Sequence, residues 1–302
     1  MVEVKNLHIK YKDQKYFSLN DINLKVEEGE LFGLIGPDGA GKTSLFRILA
    51  TLLLPSSGKA SVLGLDVEKD MYAIRRKLGY MPGRFSLYQD LSVEENLNFF
   101  ATLFETTVEE NYELVKDIYI QLEPFKKRKA GALSGGMKQK LALCCALIHK
   151  PELLLLDEPT TGVDTVSRKE FWEMLGKLKQ SGLTILVSTP YMDEASRCDR
   201  VALIQNGKIL SVDTPKGIVN SFPFTLYQVK SKEMNKLHHD MIESDLLHSA
   251  HIFGEWNHLV FKNGNTMEQF IDYLSLKGHS NIVWKEIEAG IEDCFIERMG
   301  EL

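Results

Sequence analysis

One short loop constrains the fold of this chain more than any other feature. Residues 36–43 read GPDGAGKT, follow the apolar segment Leu31–Ile35 and precede Ser44–Leu53, which is apolar at helical spacing. A buried strand, a glycine-rich loop and a helix in this order are the context in which a phosphate-binding loop forms. The sequence therefore predicts an α/β fold with a nucleotide site at this loop.

The residue types of the loop suit a bound nucleotide. Glycines let successive backbone N–H groups face phosphate oxygens, and the helix N-terminus adds its dipole. Lys42 can reach the β- and γ-phosphates, and the Thr43 hydroxyl can bind Mg²⁺. The predicted nucleotide contacts of the loop are Gly36, Pro37, Asp38, Gly39, Ala40, Gly41, Lys42, Thr43 and Ser44.

A pair of acidic residues follows a second apolar run. Leu153–Leu156 is four consecutive leucines, followed by Asp157 and Glu158. So pure a run is typical of a central parallel strand covered on both faces. Asp157 can then bind Mg²⁺, and Glu158 can orient or deprotonate an attacking water. Two acids at this place could instead cap a helix, but together with the glycine-rich loop they predict the second half of a nucleotide site.

A third motif resembles one protein family. Residues 133–139 read LSGGMKQ, with Ser134 placed 23 residues before Asp157. This run is similar to the LSGGQ signature of the ATP-binding cassette (ABC) ATPases, and the resemblance covers residues 2 to about 220. It implies a P-loop NTPase fold with a helical subdomain at about 84–150, and ATP and Mg²⁺ as cofactors. It also implies that Ser134, Gly135 and Gly136 contact the γ-phosphate of a nucleotide held by a partner cassette.

Other positions also match patterns that are typical of this family or of a particular local structure. Tyr11 resembles the aromatic residue that stacks on adenine, although an ordinary strand tyrosine remains the alternative. Thr161–Asp164 resembles the D-loop of the dimer interface. Asn206-Gly207, between two apolar runs, is a type I′ hairpin signal. Lys140–Ile148 is expected to be a helix.

Two positions depart from the pattern. Relatives carry a glutamine where this chain has Gly83, and a histidine where it has Pro190. Neither residue has a side-chain donor, and Gln89 lies too far along the chain to replace the glutamine. We expect the chain's own site to bind MgATP but to hydrolyse it slowly. The alternative is that Tyr191, Thr189 or a water molecule replaces the histidine.

The intact signature and the two departures together suggest an asymmetric pair. We expect a second ABC ATPase chain as partner, with a heterodimer favoured over a homodimer, and transmembrane permease subunits. The GPDGAGKT loop and the Gly79-Tyr80-Met81-Pro82 segment resemble ATPases of ABC-2-type exporters, and the ending Ile287–Glu297 resembles the closing helix of drug-exporter ATPases. This implies a cytoplasmic chain at the inner face of the cell membrane. A regulatory cassette that only completes its partner's site is the alternative function.

Composition separates the two ends of the chain. Of 36 basic and 42 acidic residues, residues 1–220 hold 29 of each sign, so the net charge of −6 lies entirely in residues 221–302. We therefore expect an ATP-binding domain at 1–220 and an accessory α+β domain at 221–302. The charge balance does not favour a nucleic-acid ligand. ABC proteins of translation or DNA repair are disfavoured because tandem cassettes and long coiled-coil insertions are absent from the sequence.

The remaining signals are weaker. No apolar stretch is long enough to cross a bilayer, and no secretory signal is visible. The four cysteines lack CxxC spacing, which favours buried reduced thiols. In the C-terminal domain we expect strands at 224–229 and 259–262 and a helix at 267–276. His248 and His251 could share a helix face near Asp245 and hold a metal ion, although a solvated polar face is the simpler interpretation.

Overall fold

The computed structural model describes residues 1–12 and 15–300, which form two compact units. The first contains residues 1–12, 15–218 and 297–300, and the second is Val219–Ile296. The division lies two residues before Asn220, where the composition changes. Among the described residues, no helix combines the length and the apolar character needed to span a membrane.

The first unit alternates strands and helices. Its strands are β1 (Val2–Ile9), β2 (Leu19–Val26), β3 (Leu31–Ile35), β4 (Ser57–Val62), β5 (Leu65–Asp66), β6 (Leu78–Met81), β7 (Leu153–Asp157), β8 (Thr184–Thr189), β9 (Arg200–Gln205) and β10 (Lys208–Asp213). Its helices are α1 (Lys42–Leu49), α2 (Met71–Lys77), α3 (Val93–Leu103), α4 (Val108–Tyr119), α5 (Gly135–Leu147), α6 (Thr165–Gln180) and α7 (Pro215–Asn220).

A six-stranded sheet with the order β10-β9-β3-β8-β7-β6 forms the centre of this unit. Strands β9, β3, β8, β7 and β6 are parallel, and β10 is antiparallel to β9. Every residue of β3 and β7 is buried, which confirms the prediction of central strands covered on both faces. Parallel strands bring their carboxyl ends to one edge, so the segments after β3, β7 and β8 meet there.

A second sheet, β2-β1-β4-β5, is antiparallel. Buried and exposed side chains alternate along strands β1 and β2, so each strand places one face in the core. Phe32, Phe46 and the inward residues of this sheet belong to one apolar core. The predicted hairpin at Asn206-Gly207 is also confirmed, since both residues have positive φ and join β9 to β10.

Two helix predictions need correction. The helix predicted at 44–53 is α1, which begins at Lys42 and ends at Leu49. It stops early because Thr51 has a positive φ and is held by two hydrogen bonds from Arg75. The helix predicted from Lys140 is α5, which begins five residues earlier because the Ser134 side chain caps it.

The second unit is an antiparallel sheet with two helices. Its elements are β11 (Leu226–Lys230), α8 (Met234–Ile242), β12 (Leu247–Phe253), β13 (Trp256–Phe261), α9 (Met267–Leu276) and β14 (Val283–Ile287), and α10 (Ile291–Met299) begins in it. The sheet order is β12-β13-β11-β14. Helix α9 has the predicted bounds, whereas the predicted strands are shifted by one to three residues.

The histidine site proposed for this unit is wrong. His248 and His251 lie on strand β12 and not on a helix, so they do not share the helix face that the prediction requires. Within residues 1–12 and 15–300, no three His, Cys, Asp or Glu side chains are grouped to hold a metal ion. The four cysteines are buried free thiols, and burial raises the pKa of Cys144, Cys145 and Cys198.

Candidate nucleotide-binding site

The glycine-rich loop connects β3 to α1 and passes close to neighbouring backbone. A Cβ added to Gly36 would overlap the carbonyl oxygen of Ile204, and one added to Gly41 would overlap that of Ser18. Gly39 and Gly41 also have φ values of 79° and 109°. Only glycine combines this backbone conformation with this close approach. The shape of the loop therefore requires glycine at these positions, apart from any role in binding phosphate.

The lysine of the loop points back into it. Lys42 is 3 % exposed, and its Nζ donates to the carbonyl oxygens of Gly36 (2.7 Å) and Pro37 (2.9 Å). The same Nζ lies 3.1 Å from Glu158 Oε1. A buried ammonium group held inside a ring of loop backbone is a binding group for an anion of phosphate size.

The two predicted metal ligands meet at the edge of the sheet. Asp157 ends β7 and is 1 % exposed, and the Ser188 hydroxyl donates to its Oδ1 at 2.6 Å. The Thr43 hydroxyl is also hydrogen-bonded to Asp157. Burial raises the pKa of Asp157, while the hydrogen bonds from Ser188 and Thr43 oppose the shift. A cation beside this carboxylate would stabilise its charged form, so the oxygen set fits Mg²⁺.

Glu158 has an unusual backbone. Its φ is 51°, in the left-handed region that non-glycine residues rarely adopt. The conformation is fixed because its N–H donates to the Ser188 carbonyl (3.1 Å) and hydroxyl (3.0 Å) oxygens. Strained backbone of this kind clusters at functional sites. Sequence patterns contain no signal for it.

Tyr11 lies beside the first turn of α1. Its hydroxyl is 3.0 Å from Ser44 Oγ, and its half-buried ring packs against the core. The structure thus places Tyr11 next to the predicted nucleotide contact Ser44.

The signature residues pack against the D-loop segment. Ser134 Oγ accepts a hydrogen bond from Met137 N at 3.4 Å, which caps α5. A Cβ on Gly136 would lie 2.6 Å from Ser167 Oγ, and one on Gly135 would lie 3.4 Å from the Gly162 oxygen. The small size of both glycines is what allows this contact.

The two departures occupy the expected places. A Cβ on Gly83 would lie 3.1 Å from the Asp157 carbonyl oxygen and 3.8 Å from its Oδ2, so the position faces the carboxylate without a side chain. Gln89 lies elsewhere, because its carbonyl accepts from Gly131 N at 2.9 Å. Pro190 directly follows β8, and the Thr189 hydroxyl beside it donates to Glu194.

Comparison with known proteins assigns the family. The family model described as "ABC transporter" matches residues 19–161. The Nod factor export ATP-binding protein I of Burkholderia thailandensis is 31 % identical over 99 % of this chain and 97 % of its own length. The chain is an ABC transporter ATP-binding cassette.

Two further proteins show how far the similarity extends, one in sequence and one in structure. The cassette is 40 % identical over 92 % of its length to the probable multidrug ABC transporter ATP-binding protein YbhF of Escherichia coli (strain K12), and it spans about half (48 %) of that relative. The dimeric, ADP- and Pi-bound structure of the ATP-binding cassette MJ0796 superposes with a TM-score of 0.65 at 26 % identity, covering 71 % of this chain and 98 % of MJ0796. The predicted P-loop NTPase fold is confirmed.

Proposed function

We propose that this cassette is the ATP-binding subunit of an exporter of the ABC-2 type. It binds MgATP between the glycine-rich loop and the carboxyl end of β7, and binding drives closure of a cassette dimer coupled to transmembrane subunits. The convergence of Lys42, Thr43, Asp157 and Glu158 on one edge of the sheet carries this proposal. Mg²⁺ held by Thr43 and Asp157 would neutralise phosphate charge.

The chain's own residues divide the chemical work. Lys42 binds the β- and γ-phosphate oxygens and thereby exchanges its ion pair with Glu158 for one with the nucleotide. Glu158 then accepts the proton of the water that attacks the γ-phosphorus while the bond to the bridging oxygen breaks. Tyr11 offers an aromatic face to the base. In a dimer, Ser134, Gly135 and Gly136 would contact the nucleotide of the partner chain.

We further propose that the chain's own site hydrolyses slowly. Gly83 faces Asp157 with no side chain, and Pro190 has neither a side-chain donor nor an N–H. Loss of one preorganised donor typically lowers the rate by ~10²- to 10³-fold. Binding is spared because Lys42 and the loop are intact. A partner ABC ATPase in a heterodimer would then contribute the faster site, and a purely regulatory, non-hydrolysing cassette is the second candidate.

Steady-state turnover by the purified chain tests this proposal. We expect MgATP binding with a kcat well below the ~10 s⁻¹ typical of enzymes. The variants Gly83→Gln and Pro190→His should each raise kcat roughly tenfold or more. Gly83→Ala is the matched control, because it adds the Cβ without the amide. Turnover of several per second by the wild-type chain, or no gain in either variant, would contradict the slow site.

An apolar groove supports the assignment of a membrane partner. It encloses about 760 Å³ and includes Leu52, Tyr72, Phe85, Leu103 and Phe104, with the cations of Arg75, Arg76 and Arg84 along it. The side chains of Tyr72 and Leu103 are 77 % and 60 % exposed. We propose that a cytoplasmic segment of a permease subunit, apolar on one face and carrying acidic residues, docks here. The cassette would thus lie in the cytoplasm at the inner face of the membrane.

Detergent extraction and co-purification test the docking. A polytopic membrane protein should accompany the wild-type cassette and be lost with Leu103→Asp. Leu276→Asp is the control, because Leu276 is 90 % exposed in the second unit. Equal recovery with both variants would reject the groove as the docking site.

A further inference from the structure

A buried carboxylate that the proposed mechanism does not use lies close to the nucleotide site. Glu194 is 3 % exposed. It accepts hydrogen bonds from the hydroxyls of Thr160 (2.9 Å) and Thr189, and from Arg168 Nε (3.1 Å). Buried carboxylates are retained only where such partners satisfy them. The partners of Glu194 come from three separate segments of the chain.

Two of those segments adjoin the proposed nucleotide site, one through Glu158 and the other through the glycine-rich loop. Thr160 is two residues beyond Glu158, on the same turn. Thr189 ends β8, and its carbonyl oxygen accepts the N–H of Gly36, the first glycine of the loop, at 3.2 Å. Glu194 therefore links the segment that carries the catalytic carboxylate to the strand that holds the phosphate loop.

The third segment supplies the positive charge. Arg168 lies in the first turn of α6, its side chain is 18 % exposed, and it also lies 3.4 Å from Asp193 Oδ2. Its guanidinium lies 4.0 Å from the ring centre of Tyr191, the residue after Pro190. Stacking and forked hydrogen bonds fix an arginine in one orientation. The backbone N–H of Tyr191 in turn donates to Thr189 Oγ1 at 3.1 Å.

The first turn of α6 also touches the signature. The neighbour of Arg168, Ser167, is the residue against which Gly136 packs. One helical turn thus contacts the signature segment through Ser167, and through Arg168 it contacts Glu194. Glu194 in turn binds Thr160 of the segment that carries the proposed catalytic carboxylate. Because the signature serves the partner's nucleotide in the proposed dimer, this turn connects the two nucleotide sites within one chain.

The geometry points to Arg168 as a positioning residue for hydrolysis at this cassette's own site, acting through Glu194. Pro190 can donate no hydrogen bond to Glu158. The Arg168–Glu194 pair instead fixes the segment that carries Glu158, because Glu194 accepts a hydrogen bond from Thr160. Without Arg168, Glu194 is a buried carboxylate with no cation beside it, which would admit water and release Thr160 and Thr189. This inference rests on the proposed nucleotide site.

The test compares kcat and KM for ATP in purified variants. In Arg168→Met, kcat should fall roughly 10- to 100-fold, as for small misplacements of a catalytic group. KM should change less than about threefold, because Lys42 and the loop are untouched. Adding Glu194→Gln to Arg168→Met should cause no further loss, since both act in one network. Lys169→Met is the control, because Lys169 is the exposed neighbour of Arg168 in sequence. Its ion pair with the exposed Glu173 is long, at 4.0 Å between Nζ and Oε1.

Two further variants protect the test against misfolding. Arg168→Lys keeps the charge but not the fork, and Thr160→Val removes the hydroxyl without changing the shape. Both should fold and lower kcat with KM nearly unchanged. If kcat of Arg168→Met and Thr160→Val stays within threefold of wild type, or if the losses of Arg168→Met and Glu194→Gln multiply, the inference is wrong. A wild-type chain that binds no MgATP would instead overturn the proposed function itself.

Discussion

Lys42 Nζ lies 3.1 Å from Glu158 Oε1, and the two side chains are 2 % and 20 % exposed. The cation that is expected to bind phosphate therefore also pairs with the carboxylate that is expected to handle the water. A phosphate oxygen and Glu158 compete for the same ammonium group. In the proposed mechanism, nucleotide binding would thus free Glu158 for catalysis.

This competition predicts the behaviour of Glu158→Gln. The amide cannot accept the water's proton, so hydrolysis should fall about 10²-fold or more. MgATP should bind as tightly as to wild type or a few-fold more tightly, because the amide attracts Lys42 less strongly than the carboxylate does. Equilibrium binding with a fluorescent ATP analogue and steady-state turnover measure the two effects separately.

The control for this variant is Glu152→Gln, which neutralises an exposed acid near the start of β7 that pairs only with the exposed Lys77. It should leave affinity and rate unchanged. Weaker nucleotide binding by Glu158→Gln would show that Glu158 assists Lys42 rather than competing with it.

Much of the proposed nucleotide site at the edge of the six-stranded sheet could be predicted from the sequence, because its signals are local. The loop at Gly36–Thr43 and the acids after β7 each lie beside the apolar strand that positions them. The parallel sheet follows from these runs, and so does the meeting of Thr43 with Asp157. The end of α1 could not be predicted, since Thr51 stops this helix through hydrogen bonds from the distant Arg75.

Other features depend on contacts that no local pattern records. Glu194 draws partners from positions 160, 168 and 189, and the positive φ of Glu158 depends on Ser188 of a neighbouring strand. Strand β14 was missed because four of its five residues are exposed, so it shows no buried alternation. An exposed edge strand of this kind lacks the alternation of buried and exposed positions from which strands are predicted.

Tyr11 provides a test of base recognition. Its hydroxyl contacts Ser44 at 3.0 Å, so Tyr11→Phe removes one hydrogen bond and keeps the ring. If the ring stacks on adenine, Tyr11→Ala should weaken ATP binding by about tenfold or more, and Tyr11→Phe by less than threefold. Competition binding with ATP measures both. Tyr16→Ala, at a tyrosine that is 75 % exposed, is the matched control. Equal weakening by Tyr11→Ala and Tyr16→Ala would argue against a specific role for Tyr11.

The second unit contains a buried pair whose contribution depends on pH. His279 Nε2 lies 2.8 Å from Asp240 Oδ2, and the hydrogen bond from His279 lowers the pKa of Asp240. A lowered pKa stabilises the fold above the ordinary value, and this stability is lost as pH falls through the folded-state pKa. Asp240→Asn should therefore lower Tm by a few degrees at pH 7, with the difference shrinking below about pH 4.

Calorimetry of the full chain across this range checks the effect. Glu243→Gln is the control, because Glu243 is half exposed and shares only Lys277 with Asp240. A Tm difference for Asp240→Asn that is the same at every pH would mean that packing, not charge, is responsible.

The contribution of Asp157 to stability should depend on pH in the opposite direction. Burial raises the pKa of its carboxyl group, so the fold is most stable with Asp157 protonated. This stability is present below the ordinary pKa and is lost as pH rises through the folded-state pKa, which leaves the full penalty at neutral pH. Asp157→Asn removes the charge and keeps an oxygen that can accept from Ser188. Without nucleotide, its Tm should exceed that of wild type by about 2–4 °C at pH 7.5, and the difference should vanish in acid.

The same variant should lose the response to Mg²⁺. In wild type, a cation at Asp157 offsets the burial penalty, so MgATP should raise Tm by more than ATP with EDTA does. In Asp157→Asn the two conditions should give the same Tm. Asp199→Asn is the control, because Asp199 pairs with Lys179 and is not one of the predicted Mg²⁺ ligands. This variant should respond to Mg²⁺ like wild type. A full Mg²⁺ response in Asp157→Asn would place the cation on other ligands and remove Asp157 from the site.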